Sequence, residues 1–167
     1  MKSLRKTLTR IEPENYLALS KFVFLDTGII GLVTHPSGGD EPRKCINWLF
    51  SLIENDIKVC IPEVCDYEIR RGYLHRNNLK SLTKLDQLID TLQYIPINSS
   101  MMRKAAELWA KSRQSGKTTA DPKELDGDVV LCAQALLSIE AGDELVIATT
   151  NVGHLSYFVS ASAWETI

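Results

Sequence analysis

A chain of 167 residues is the size of one domain, with a single core that buries roughly two-thirds of the surface an extended chain would expose. Its 44% hydrophobic and 24% charged residues are ordinary globular proportions and exclude disorder over most of the length. The net charge of −2 excludes a broad basic surface, so a nucleic-acid ligand would have to be held locally.

Residues 1–20 are polar and weakly periodic, with Pro13 interrupting, and are expected to be an N-terminal extension to a domain at 21–167. Phe22 to Leu25 is a short apolar run of strand length, suited to the centre of a parallel sheet. Thr34 to Pro42 reads as a Gly/Pro/Ser loop, and Ile46, Leu49 and Ile53 then mark a helix over Arg43 to Glu54. Lys58 to Ile61 is a second strand, and Pro62 suits the first turn of a helix to about Leu74. Leu79 to Leu92 is amphipathic at helical spacing. Tyr94 to Ile97 is a third strand, followed by a helix from about Met101 to Arg113. Asp121-Pro122-Lys123-Glu124 resembles a capping box that introduces a largely buried helix up to about Glu140. Leu145 to Ala148 is a fourth strand, with a short final strand near Ala163 to Thr166. Short strands alternating with helices predict an α/β fold with a mainly parallel sheet.

Cys45, Cys60, Cys65 and Cys132 lack C-x-x-C spacing and read as small core residues. The chain has no run of about 18 apolar residues and no signal peptide, from which a cytoplasmic protein without a membrane span is expected. Gly116-Lys117-Thr118 is not a phosphate-binding loop, because the first glycine of that pattern falls on Lys111 and the segment follows a helix. His35, His75 and His154 have no zinc-ligand spacing; His154 either touches a phosphate or is an ordinary packed or surface histidine.

Four polar residues stand where apolar sequence ends or should continue. Asp26 closes FVFLD, at the carboxyl end of the presumed central strand where open α/β sheets bind ligands; it also suits an N-cap. Glu68 projects roughly 40° from Val64 on a helical wheel, on the apolar side of its helix, with Asp66 and Arg70 opposite. A surface ion pair with Arg71 would account for its charge but not for its apolar face. Asp128 shares a stripe with Cys132, Ala135 and Ile139, whereas Gln134 and Ser138 turn away, and a first-turn Asp also suits the helix dipole. Asp126 would point roughly 160° from Asp128 if the turn is helical, which favours Asp128 for the site. Asn151 ends the fourth strand after Thr149 and Thr150, and serves either a site or a turn. Arg70, Arg71, Arg76 and Lys80, with Tyr73 among them, form a local basic cluster, either solvated surface or RNA phosphate contacts. Three converging carboxylates raise one another's pKa unless a cation joins them, and an oxygen-only donor set selects Mg²⁺ or Mn²⁺. Phosphodiester hydrolysis is the chemistry such a site performs best.

FLDTGII, PEVCDYEIRRG, LDGDVVLCAQAL and VIATTNVGHL, in this order and spacing, resemble the four motifs of PIN-domain nucleases, in particular VapC-like toxins of toxin-antitoxin pairs. The resemblance covers about residues 22 to 160. It implies a PIN-like three-layer α/β/α fold with a central five-stranded parallel sheet, and a Mg²⁺- or Mn²⁺-dependent endoribonuclease. It further implies Asp26, Glu68 and Asp128 as metal-binding carboxylates, with Asn151 at the fourth position. Many relatives carry an aspartate in or just after that motif, where this chain has Asn151 and His154. Expected substrate contacts are Arg70, Arg71, Thr149 and Thr150, and expected partners are RNA, an antitoxin and a second copy of the chain, paired through the helices at 79–92 and 101–113. A PIN-like module that binds RNA or protein without cleaving is the alternative, and a phosphatase or flap-type DNA nuclease would share the acidic site.

Overall fold

A computed structural model of the chain describes residues 19–117 and 126–167. Most of the expected N-terminal extension, and the expected capping segment Asp121 to Glu124, lie outside the described residues. The first strand, β1 (Lys21–Leu25), is followed by α1 (Thr27–Val33) and α2 (Asp40–Glu54). Then come β2 (Lys58–Pro62), α3 (Glu63–His75), α4 (Leu79–Thr91), β3 (Gln93–Ile95) and α5 (Ser99–Gln114). The chain continues through α6 (Gly127–Leu137), β4 (Glu144–Thr149), α7 (Val152–Leu155) and β5 (Ala161–Ala163), and closes on a 3₁₀ turn at Trp164–Thr166.

The five strands pair in the order β3-β2-β1-β4-β5, all parallel. A strand central in such a sheet is covered on both faces, which is why β1 reads Phe-Val-Phe-Leu without alternation. Phe24, Leu25, Ile61 and Ile147 are wholly buried around it, each stabilising the fold by about 1.5–3 kcal/mol. The chain runs outward through β2 to β3 and returns across β1 to β4, so helices cover both faces in a three-layer α/β/α arrangement. The strand order reverses between β1 and β4, and there the Asp26 N–H donates to the Ala148 carbonyl at 3.0 Å. Ligand crevices in open α/β sheets form at this point.

Several boundaries differ from expectation. Helix α2 begins at Asp40, because Gly39, at φ 136°, turns the chain and Asp40 and Glu41 suit the positive end of the dipole. Pro42 is tolerated there because the first turn needs no partner for its N–H. Pro62 ends β2 and caps α3 rather than opening it. The last strand is Ala161–Ala163, since Trp164 leaves it to pack edge-on against Trp48 with ring centroids 5.6 Å apart. Helix α6 begins at Gly127, with extended Asp126 as its cap. Gln134, expected to turn away from the apolar stripe, is fully buried. It accepts from the Val64 N–H at 3.2 Å and donates to the Ile95 carbonyl at 2.6 Å, joining α3, α6 and the end of β3. All four cysteines are free and buried. Among the described residues no helix is long and apolar enough to cross a membrane.

Candidate active site

Among the helices that start at the carboxyl end of the sheet, α1, α6 and α7 have Asp26, Asp126 and Asn151 as their N-caps. Asp26 Oδ1 accepts from the Thr27 N–H at 2.7 Å, so the capping role is real. Its other oxygen accepts from the hydroxyl of buried Thr149 at 2.6 Å, and that hydroxyl in turn accepts from the Asn151 N–H at 2.9 Å. The tip of β4 thereby fixes the carboxylate that closes β1.

Glu68 is half-buried on α3, one turn after buried Val64 and Cys65. Its Oε2 accepts from Thr27 Oγ1 at 2.6 Å, so Asp26 and Glu68 are pinned by the backbone and side chain of one residue. The ion pair with Arg71 is not formed, and Arg71 instead lies over the Tyr67 ring at 5.2 Å. Glu68 also reaches the start of α6, where a Cβ on Gly127 would meet its Oε1 at 2.2 Å.

Asp128 follows in the first turn of α6, its side chain 39% exposed and its Oδ2 3.7 Å from Nδ1 of His154. Its carboxyl is pushed up to about 6, first by burial, then by the charges of Asp126 and Asp26, with His154 opposing and Glu68 adding. Asp126 is therefore no bystander. The 160° separation assumed a helical turn, whereas Asp126 is extended, only 5% exposed, and accepts from the Asp128 N–H at 3.2 Å. An Asp two residues before a helical carboxylate was a visible cap signal.

Two buried thiols report the same convergence from below. Cys65 is pushed well above its usual range by burial, with the charges of Asp26 and Glu68 adding. Cys132 is raised by burial and by Asp128, Asp126 and Asp26. The structure thus joins Asp26 and Glu68 at Thr27 and seats Glu68 against Gly127, beside Asp128, whose neighbours are Asp126 and His154. Asn151 stands exposed and caps α7 without a side-chain hydrogen bond. Among the described residues no three His, Cys, Asp or Glu side chains are grouped so as to hold a metal ion. The donor chemistry nonetheless suits a hard cation: the carboxylates are oxygen donors, and the Asp128 carboxyl, raised first by burial and then by the charges of Asp126 and Asp26, is one that a cation would favour in its ionised form.

The expected substrate residues divide. Arg70 is committed to Asp66 at 2.9 Å and Asp86 at 2.8 Å, on the face of α3 away from Glu68. Thr149 is buried and spent on Asp26, so it positions a carboxylate and is not open to substrate. Thr150 is exposed, its hydroxyl 2.7 Å from where a Cβ on Gly28 would stand. Thr27 and Gly127 border the acidic residues and were not singled out by the sequence reading, which weighed Asp126 and set it aside.

No protein-family model matches the chain, and a search of curated protein sequences finds no match either. Solved structures do match in fold. A chain of VapBC2 from Rickettsia felis bound to a DNA fragment from their promoter superposes with a TM-score of 0.65 at 18% identity, covering 86% of this chain and 98% of that one. This chain has a VapC-like, PIN-like fold. VapBC-1 from nontypeable Haemophilus influenzae matches at 0.63 and 14% identity, covering 86% and 98% of the two chains. DNA-bound VapBC from Salmonella typhimurium matches at 0.59 and 18%, covering 87% and 99%. Asp26 lies where the strand order of that fold reverses, between β1 and β4.

Proposed function

We propose that this chain is a Mg²⁺- or Mn²⁺-dependent endoribonuclease, the cytoplasmic toxin of a toxin-antitoxin pair. The observation that carries the reading is that Thr27 holds both Asp26 and Glu68, and that Glu68 lies against Gly127, the chain neighbour of Asp128, where the order of a PIN-like sheet reverses. Asp26, Glu68 and Asp128 would hold the ion, and the chemistry it supplies when bound is a polarised phosphate and a more acidic attacking water. Asp26 and Glu68 enter that role already oriented by the hydroxyls of Thr149 and Thr27. His154, beside Asp128 and 47% exposed, is open to contact with a scissile phosphate. With Arg70 spent in ion pairs, the RNA backbone would run past Lys117, whose amine lies 4.4 Å over the exposed Tyr157 ring, one turn beyond His154. An antitoxin partner follows from the VapBC origin of the fold relatives, and a homodimer belongs to the same reading.

The test compares RNA, DNA and a small phosphate ester under the same Mg²⁺ or Mn²⁺ conditions. RNA should be cleaved preferentially, and Asp26→Asn and Asp128→Asn should each lower cleavage by at least about 10²-fold with an unchanged circular dichroism spectrum. Full activity in either variant would remove that residue from the machinery, and preference for the ester would overturn the nuclease reading. A second reading, a PIN-like module that binds RNA or protein without cleaving, is favoured by one observation: no three such side chains among the described residues stand ready to hold a metal. Calorimetric Mn²⁺ titration separates the two, since absence of binding at millimolar Mn²⁺ supports the module.

A further inference from the structure

Glu68 and Asp128 come from helices distant in sequence, and Gly127 stands where they meet. A Cβ built on Gly127 would lie 2.2 Å from Glu68 Oε1 and 3.1 Å from its carboxyl carbon, with Oε2 at 3.7 Å. Oε2 is held on the other side by the Thr27 hydroxyl at 2.6 Å. The carboxylate is therefore seated between the first residue of α1 and the bare Cα of the first residue of α6. The backbone does not ask for glycine here, because the glycines with positive φ are Gly38, Gly39, Gly116 and Gly142. Helix propensity does not ask for it either, since alanine is the better helix former. What requires glycine is the space that the Glu68 carboxylate occupies.

We propose that Gly127 is a positioning residue for the cation site: its missing side chain lets the carboxylate of Glu68 lie against the first turn of α6, which carries Asp128, so that both can address one divalent ion. The proposal rests on the metal-dependent nuclease reading. The obstructing atom is the end of a flexible side chain, so a methyl group at position 127 displaces the carboxylate while leaving the backbone of α6 in place. The displaced Glu68 loses its seat against α6 and its hold on Thr27 Oγ1, and the site loses one oriented donor.

The experiment titrates Mn²⁺ calorimetrically into wild type, Gly127→Ala, Glu68→Ala and the double variant, and records thermal melting of each without metal. G127A should melt at or above the wild-type temperature and bind Mn²⁺ about 10-fold or more weakly, the loss typical of removing a group that orients a ligand. The double variant should bind no more weakly than Glu68→Ala alone, because Gly127 acts only through Glu68. Equal Mn²⁺ affinity in wild type and G127A would overturn the proposal alone, as would a further loss from alanine in the Glu68→Ala background. If G127A fails to fold, folding of the double variant upholds the clash with Glu68, and its failure overturns the proposal. Wild type that takes up no Mn²⁺ would overturn the nuclease reading, and this proposal with it.

Discussion

Asp128 is the residue where the site's electrostatics can be measured most directly. Its folded carboxyl titrates at about 6 against an ordinary 3.8, driven first by burial and then by Asp126 and Asp26. A raised carboxyl contributes stability that is fully present below about pH 4 and lost as pH rises through about 6. Asp128→Asn removes the ionisation, so the metal-free variant should melt roughly 2–4 °C above wild type at pH 7.5 and equal it at pH 4. A pH-independent difference between the two melting curves would count against this assignment. Thr149 offers a second test. Thr149→Val keeps the shape but takes a donor from Asp26 and an acceptor from the Asn151 N–H. Stability should fall by about 1 kcal/mol and Mn²⁺ affinity by about 10-fold. Wild-type values in both would show that the hydroxyl does not position Asp26. Glu68 was legible in the sequence because a charge on an apolar helical stripe breaks the local pattern; Asp126 was misjudged because helical geometry was extended to a residue that caps the helix.

At the scale of elements, helix α6 ties the site to the rest of the fold. Buried Gln134 spans from the Val64 N–H to the Ile95 carbonyl, and so fixes α6 against α3, the helix that carries Glu68. Gln134→Leu would fill the volume but strand both backbone groups, costing about 2 kcal/mol. The urea midpoint should drop with an unchanged m-value, and an unaltered midpoint would show that the bridge is dispensable. Apolar periodicity located α2 to α5 within a few residues, because the stripe that packs inward is written locally. Helix α6 is capped by Asp126, while the capping pattern at Asp121-Pro122 lies outside the described residues.

For the whole molecule, the expected pairing surface is partly spent. Leu85 of α4 is fully buried and Leu82, Leu88 and Ile89 pack against the core, so that stripe serves the fold first. Exposed apolar side chains remain at Phe50 and Ile53 of α2, beside a groove of about 310 Å³ shared with α4, and at Met102 of α5. The homodimer of the proposed function predicts twice the 18.7 kDa chain mass by light scattering at micromolar concentration, and a strict monomer would end that part of the proposal.

The sequence by itself determined the α/β class and the parallel character of the central strands, and it singled out three carboxylates as candidates, because strand length, helical period and a charge on an apolar stripe are local properties. Only the tertiary structure decided which atoms meet. Thr27 reaches Glu68 across 41 residues and Thr149 reaches Asp26 across 123, both contacts set by the strand order β3-β2-β1-β4-β5. Arg70 belongs to Asp66 and Asp86, Asp126 lies beside Asp128, and Gly127 makes room for Glu68. Local periodicity carries no record of such distances; they follow from how the sheet brings the ends of its strands and the starts of its helices together.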